Sequence, residues 1–235
     1  MKDPIWKKQG KGESADPAIM AFMAGEDVEL DKQLLLFDIQ ASAAHAVGLH
    51  HIGILSEQEL DQLRNGLKKI ADDVRQGKRQ LDAGFEDGHS AIEYWLTGML
   101  GDVGRKIHTG RSRNDQVAVA LRLYMLDRLA HLKSTSMEIA GVLLARVESE
   151  GDLPMAGYTH LQSAMPSSAG LWLAGHAEAF IDNAELAQLT AGWMDASPLG
   201  TASGFGVNLP LARDAVAHEL GFKRLVVNPQ YAQNS

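Results

Sequence analysis

Three short polar stretches carry the residue types that acid–base and carboxylate chemistry need: Glu86-Asp87-Gly88-His89, Thr109 to Gln116 (TGRSRNDQ) and Gly157 to Gln162 (GYTHLQ). In the second, Arg111 and Arg113 concentrate positive charge just ahead of a long segment with helical periodicity. A helix start there would add free N–H groups and the positive end of its dipole, so a ligand bearing carboxylates suits the place. The plainer alternative is that Asn114 or Asp115 caps the helix and the arginines are solvated. In the third stretch Thr159 sets a hydroxyl beside His160, a group that titrates near neutral pH and could move a proton, or could be a structural histidine at a helix entrance. In the first, Asp87 and Glu86 could orient or charge His89, while Asp87 could equally cap the helix that follows. A zinc site built from His89, His108 and His160 is disfavoured, because no pair of them has the short spacing of ligands on one helix.

The elements that must hold these stretches read as helices. Leu30, Leu34 and Phe37, then Ala41, Ala44 and Ala46, trace one apolar face that ends near Gly48 and Gly53. Ser56-Glu57-Gln58-Glu59 is a capping box, followed by Leu60, Leu63, Leu67, Ile70 and Val74 at spacings of three and four. Ser90-Ala91-Ile92-Glu93 repeats the capping pattern after a loop from Gly84 to His89 and leads to a short helix ended by Gly101. From Asp115 to about Glu150 there is no proline, and apolar residues from Val117 to Val147 recur at helical spacing. Such a helix runs on the order of 50 Å and needs long neighbours or partner subunits to cover it. Pro166 suits the first position of a further helix reaching about Thr190, 197–206 is a loop, and a short helix covers about Leu211 to Leu220. The first 25 or so residues read as an extended arm, and the end from Asn228 as polar chain without helix closure. No alternating strand, repeat or low-complexity tract is found. The fold class expected is all-α, a long-helix bundle with a small helical amino-terminal domain, divided into 1–112 and 113–235.

Composition narrows the function classes. The 235 residues are 45% hydrophobic, enough for a substantial core. Thirty acidic against 22 basic residues, a net charge of −8, argue against a general nucleic-acid surface. The absence of cysteine excludes disulfides and thiolate metal sites. No apolar run approaches the roughly 20 residues that span a bilayer, so neither a membrane nor a nucleic acid is expected as partner, and the expected location is the cytoplasm.

Taken together, EDGHSAIE at 86–93, GRKIHTGRSRNDQV at 104–117 and MAGYTHLQSAMP at 155–166, with SPLG at 197–200, resemble in order and spacing the motifs of the argininosuccinate lyase family. The likeness runs from about residue 20 to the end. Fumarase, aspartase and adenylosuccinate lyase look similar in fold, but the RSRNDQ and GYTHLQ pair points to this branch. The resemblance implies a fumarase/aspartase-type bundle that eliminates fumarate from argininosuccinate to release arginine. It implies no metal and no organic cofactor, and a homotetramer whose sites are each built from three subunits. By the same resemblance His160 is linked to acid–base chemistry and Thr159 contacts substrate. Arg111, Ser112, Arg113 and Asn114 hold carboxylates, and Asp87, His89, Gln162, Asp31 and Asp27 complete the site.

Three departures from the family pattern bear on this. Members run to roughly twice this length, and the half not represented here holds a flexible loop whose serine is the favoured proton-abstracting base. The family's Trp-Gly-Gly-Arg-Phe appears only as Trp6-Lys7-Lys8-Gln9-Gly10, and Asp27 stands where relatives carry a substrate-contacting serine.

Overall fold

A computed structural model describes Phe22, residues 26–82 and residues 84–234, the side chain of Asp27 excepted. The extended arm and the Trp6–Gly10 departure lie outside the described residues. The chain forms two compact units, residues 1–124 with 195–235, and residues 125–194.

In the first unit, helices α1 (Asp27–His51), α2 (Glu57–Arg75) and α3 (Gly88–Leu100) enclose the main core, with Leu35, Leu49, Leu63, Leu67, Ile70, Ile92 and Leu96 almost fully buried. The second helix starts as its sequence requires: the Ser56 hydroxyl accepts from Glu59 N–H at 3.3 Å, and Glu59 Oε2 accepts from Ser56 N–H at 3.0 Å. At α3 the expected box is displaced. Asp87 is the cap, its Oδ1 accepting from Ser90 N–H at 2.8 Å, so the helix begins at Gly88 rather than after His89. Phe85 seals this corner edge-on against Tyr94 and Trp95.

A turn of helix α4 (Asp102–Arg105) and a 3₁₀ turn (Lys106–His108) lead to the long helix α5 (Arg113–Glu150). This α4 turn lies directly on α3: a Cβ on Gly104 would come within 2.5 Å of the Leu96 carbonyl oxygen, so only glycine fits. The start of α5 is tied to α1 by a Phe37–Tyr124 edge contact and by Tyr124 Oη donating to Gln33 at 3.0 Å. Helices α7 (Arg213–Glu219) and α8 (Pro229–Asn234) complete this unit, α8 being a helix that the polar end of the sequence did not announce.

In the second unit the rest of α5 is followed by an antiparallel hairpin, β1 (Pro154–Thr159) and β2 (Gln162–Ser168), and by helix α6 (Ala169–Met194). The hairpin corrects the expectation that 157–166 is a loop leading into a helix at Pro166. Pro166 lies in β2 opposite Ala156, where a two-stranded ribbon leaves one edge free and a missing N–H is tolerated. Its two-residue turn is His160-Leu161, at φ +47° and +64°, the left-handed pair that a tight hairpin requires. Without Asn-Gly or Asp-Gly at the turn, the usual sequence signal was missing. Alanines 140, 177, 184 and 187 are buried here, while Val142, Leu171, Trp172, Leu186, Leu189 and Trp193 are exposed. Among the described residues no helix is long and apolar enough to cross a membrane.

Candidate active site

The first unit holds an open cavity of about 710 Å³ between the start of α3, the start of α5 and the 197–206 loop. Its walls include His89, Ser90 and Glu93 from α3, His108, Arg111 and Ser112 from the segment before α5, Arg113, Asn114 and Gln116 from the first turn of α5, and Ser203.

Asp115 builds this corner. Its side chain is buried, Oδ1 accepts from Ser112 N–H at 2.9 Å, and Oδ2 accepts from Gly200 N–H at 2.9 Å and Ala202 N–H at 3.0 Å. One carboxylate thereby caps a helix and fixes the loop that carries Ser203, whose Gly200 and Ala202 sit at φ +88° and +51°. Arg213 holds the same loop from the other side, its Nε donating to the Leu199 carbonyl at 3.0 Å.

The two arginines of TGRSRNDQ differ in kind. Arg113 is committed to a bidentate pair with Glu86 at 2.6 and 2.7 Å and meets Asp87 at 3.1 Å. The Glu86 bond, with Asp87 and Glu93 nearby, raises its pKa further. Arg111 is buried and donates to the Ser42 hydroxyl at 2.9 Å. Burial pushes its pKa below the usual arginine value, opposed by the charges of Asp38, Asp115 and Glu93. Its Nε and the Gln116 Oε1 are both buried and have no hydrogen-bond partner among the described residues. A ligand in the cavity that offers an acceptor to one and a donor to the other would satisfy them.

The histidines are tuned in opposite directions. The His89 Nδ1 is paired with the buried Asp38 carboxylate on α1. Burial works against its charged form, but Asp38, by charge and by hydrogen bond, and Asp87 outweigh it, so its pKa is raised. His108, 3.6 Å from Glu93, is lowered by burial and by Arg111 against the pull of Glu93. Behind the cavity His45 bonds the Thr109 carbonyl at 2.9 Å, and burial, with Arg111 beside it, pushes it down to about 3.

Of the residues singled out in the sequence, Arg111, Ser112, Arg113, Asn114 and His89 therefore meet around one cavity, with Asp87 bracing Arg113 and capping α3. Asp31 stands behind them, its Oδ2 accepting from Gly88 N–H at 2.8 Å. The Asp27 side chain lies outside the described residues. Thr159, His160 and Gln162 belong to the second unit, exposed at the tip of the hairpin. Sequence reasoning missed Asp38, Glu93, Gln116 and Ser203, and weighed His108 only as a metal ligand. The signal for Asp38 was a charged residue interrupting the run of apolar residues in α1; Glu93 was hidden by its fit to a capping box that does not form. Among the described residues no group of three or more His, Asp or Glu is placed to hold a metal ion.

This arrangement, a desolvated guanidinium with hydroxyl, amide and imidazole groups at a helix start, can bind and polarise a carboxylate-rich small molecule. The chain is 54% identical over all 235 residues to an argininosuccinate lyase of Stenotrophomonas maltophilia (strain K279a) and 56% identical to one of Xanthomonas axonopodis pv. citri (strain 306). It spans about half the length of these curated relatives, 54% of each. A solved structure of an EDDS lyase variant with bound fumarate superposes with a TM-score of 0.76 at 26% identity, covering 94% of this chain and 44% of that one. The pattern of the family described as Lyase matches residues 10–235, and the chain belongs to that family.

Proposed function

We propose that this chain is the amino-terminal half of an argininosuccinate lyase, which eliminates fumarate from argininosuccinate and releases arginine. The observation that carries the reading is identity of 54–56% with argininosuccinate lyases over every residue of the chain, centred on a cavity whose chemistry suits the succinyl carboxylates.

In this reaction a proton leaves the carbon beside a carboxylate, the electron pair spreads into that carboxylate, and the carbon–nitrogen bond breaks to expel the guanidinium group of arginine. Negative charge grows on the carboxylate oxygens, so fixed donors placed beforehand lower the barrier. Arg111, Ser112, Asn114 and His89 are those donors; Arg113, Asp87 and Asp31 hold the wall in shape. Thr159, His160 and Gln162 supply substrate contact and proton transfer, with His160 in the acid–base role. The serine base is contributed by the region of the relatives that this chain does not span. No metal or organic cofactor takes part.

The same reading includes a homotetramer in the cytoplasm, serving arginine biosynthesis, with 1–112 as the amino-terminal domain and 113–235 as the start of the long-helix domain. The exposed Val142, Leu171, Trp172, Leu186 and Trp193 support an assembly, since side chains of this size rarely face water along whole helices of a free monomer.

A sister lyase acting on another succinyl adduct is the second reading. It is favoured by the fumarate-bound EDDS lyase neighbour and by Asp27 in place of the family serine. The two separate in a substrate panel run on the enzyme assembled with the carboxy-terminal half of the Xanthomonas relative. Argininosuccinate should give the highest kcat/KM for fumarate release; a higher value on another N-succinyl amine would transfer the assignment. His160→Asn in the same enzyme should cost at least 100-fold in kcat, and unchanged turnover would remove His160 from the mechanism.

A further inference from the structure

Asp38 is a buried carboxylate beside the cavity that the proposed chemistry does not use. It sits on α1 at 2% exposure, in sequence among the buried Leu35, Ile39 and Ser42. Burying a charge there is costly unless it is paired. Its Oδ2 is paired with the Nδ1 of His89, and its Oδ1 has no partner among the described residues. The ring it holds lines the cavity.

We propose that Asp38 is a positioning residue that makes His89 a cationic hydrogen-bond donor, taking the Nδ1–H itself and leaving the Nε2–H to a substrate carboxylate beside Arg111. The inference rests on the reading of the cavity as a dicarboxylate site. It resolves a shortage in that site. Arg113 is already neutralised by Glu86 and Asp87, so Arg111 alone would face a ligand that carries at least two negative charges. A charged His89 supplies the second cation, and a carboxylate on the far ring nitrogen is the arrangement that both orients an imidazole and stabilises its proton.

The charged groups facing the ring come from each element packed on it: Asp38 from α1, Asp87 from the turn before α3, and Arg111 from the segment before α5. Two of the three are carboxylates, so their sum favours the imidazolium even though burial and Arg111 oppose it. Other groups do not mimic this behaviour. Burial holds His108 below the ordinary histidine value of 6.5 and pushes His45 down to about 3, so a step above 6.5 in the cavity is assigned to His89.

The test is the pH dependence of succinate binding, followed by calorimetry between pH 5.5 and 9 on the chain and on Asp38→Asn. In the wild type, affinity should fall with rising pH as His89 loses its proton, with a midpoint above 6.5. Asp38→Asn should bind about tenfold more weakly at pH 7, the worth of roughly one charged hydrogen bond, with the fall moved below 6.5. His89→Gln should remove the fall and leave a weak, pH-independent affinity. An Asp38→Asn profile with the wild-type midpoint would overturn the proposal, because a residue that only fills the core would leave the midpoint where it was. If that variant does not fold, the ring titration of His89 by nuclear magnetic resonance in the wild type decides: a midpoint above 6.5 supports the proposal and one below it overturns it. Absence of succinate binding by the wild type at every pH would count against the dicarboxylate reading instead, and the ring titration would still judge Asp38.

Discussion

The two units of this chain treat their polar and apolar groups in opposite ways. In the first, carboxylates and guanidinium groups are drawn inward and cross-braced: Asp115 holds three backbone amides, Arg113 is clamped by Glu86, and Asp38 holds His89. In the second, the candidate proton-transfer residues stand exposed on a hairpin, and large apolar side chains face outward along α5 and α6. A cavity whose donors are fixed by their own fold is already prepared for a ligand. A surface of exposed Trp, Leu and Val of this kind is what interfaces are commonly made of. The difference teaches that one chain can fix its buried polar groups in one region and leave the polar groups of another exposed.

If the first unit is self-sufficient, its braces should be costly to remove. The largest effect is expected for Asp115→Ala, which strips a buried acceptor from three amides; about 4 kcal/mol of unfolding free energy should be lost in urea titration. A loss under 1 kcal/mol would mean that the 197–206 loop is held by Arg213 and the packing of α8 alone. Gly104→Ala comes next, at about 3 kcal/mol, since its methyl would overlap the backbone of α3 at Leu96. Equal stability would show that α4 can slide on α3 without harm.

The histidines give the same unit a pH signature. His45 is held neutral down to about 3, whereas in the unfolded chain it takes up a proton near 6.5. Stability from this group is complete above 6.5 and is lost as pH falls toward 3, at about 1.4 kcal/mol per unit. His89 has the opposite sign: its contribution is complete below 6.5 and is lost as pH rises through its raised value. Denaturation curves should therefore show a maximum near neutrality, and His45→Gln should flatten the acid side only.

The smallest effect on stability belongs to the second unit. Leu186→Ser, at a side chain 62% exposed, should change unfolding of the isolated chain by less than about 0.5 kcal/mol. It should nevertheless weaken self-association of the assembled enzyme in sedimentation velocity, and an unchanged distribution would set that face outside any interface.

What the sequence disclosed follows the range of the interactions involved. The Ser56 capping box, the stop at Gly101 and the reach of α5 to Glu150 are local signals, and each was legible. The cap of α3 was legible only as one of two choices, because both Asp87 and Ser90 fit; in the structure Asp87 accepts from Ser90 N–H. The hairpin at 154–168 was not legible: its turn residues are unusual for left-handed backbone, and Pro166 imitates a helix start. At the site, the cationic cluster before α5 could be read from spacing. The division of labour between Arg111 and Arg113, and the partner of His89, depend on residues 23 to 69 positions away and could not.

The most direct test of the central claim is to mix the purified chain with argininosuccinate and follow fumarate by its ultraviolet absorbance, alone and with the carboxy-terminal half of the Xanthomonas relative supplied in trans. The account predicts fumarate only when both halves are present. Fumarate from the chain alone would contradict the need for a base from the region it does not span, and no fumarate from the combined halves, with association between them demonstrated, would contradict the assignment of the reaction.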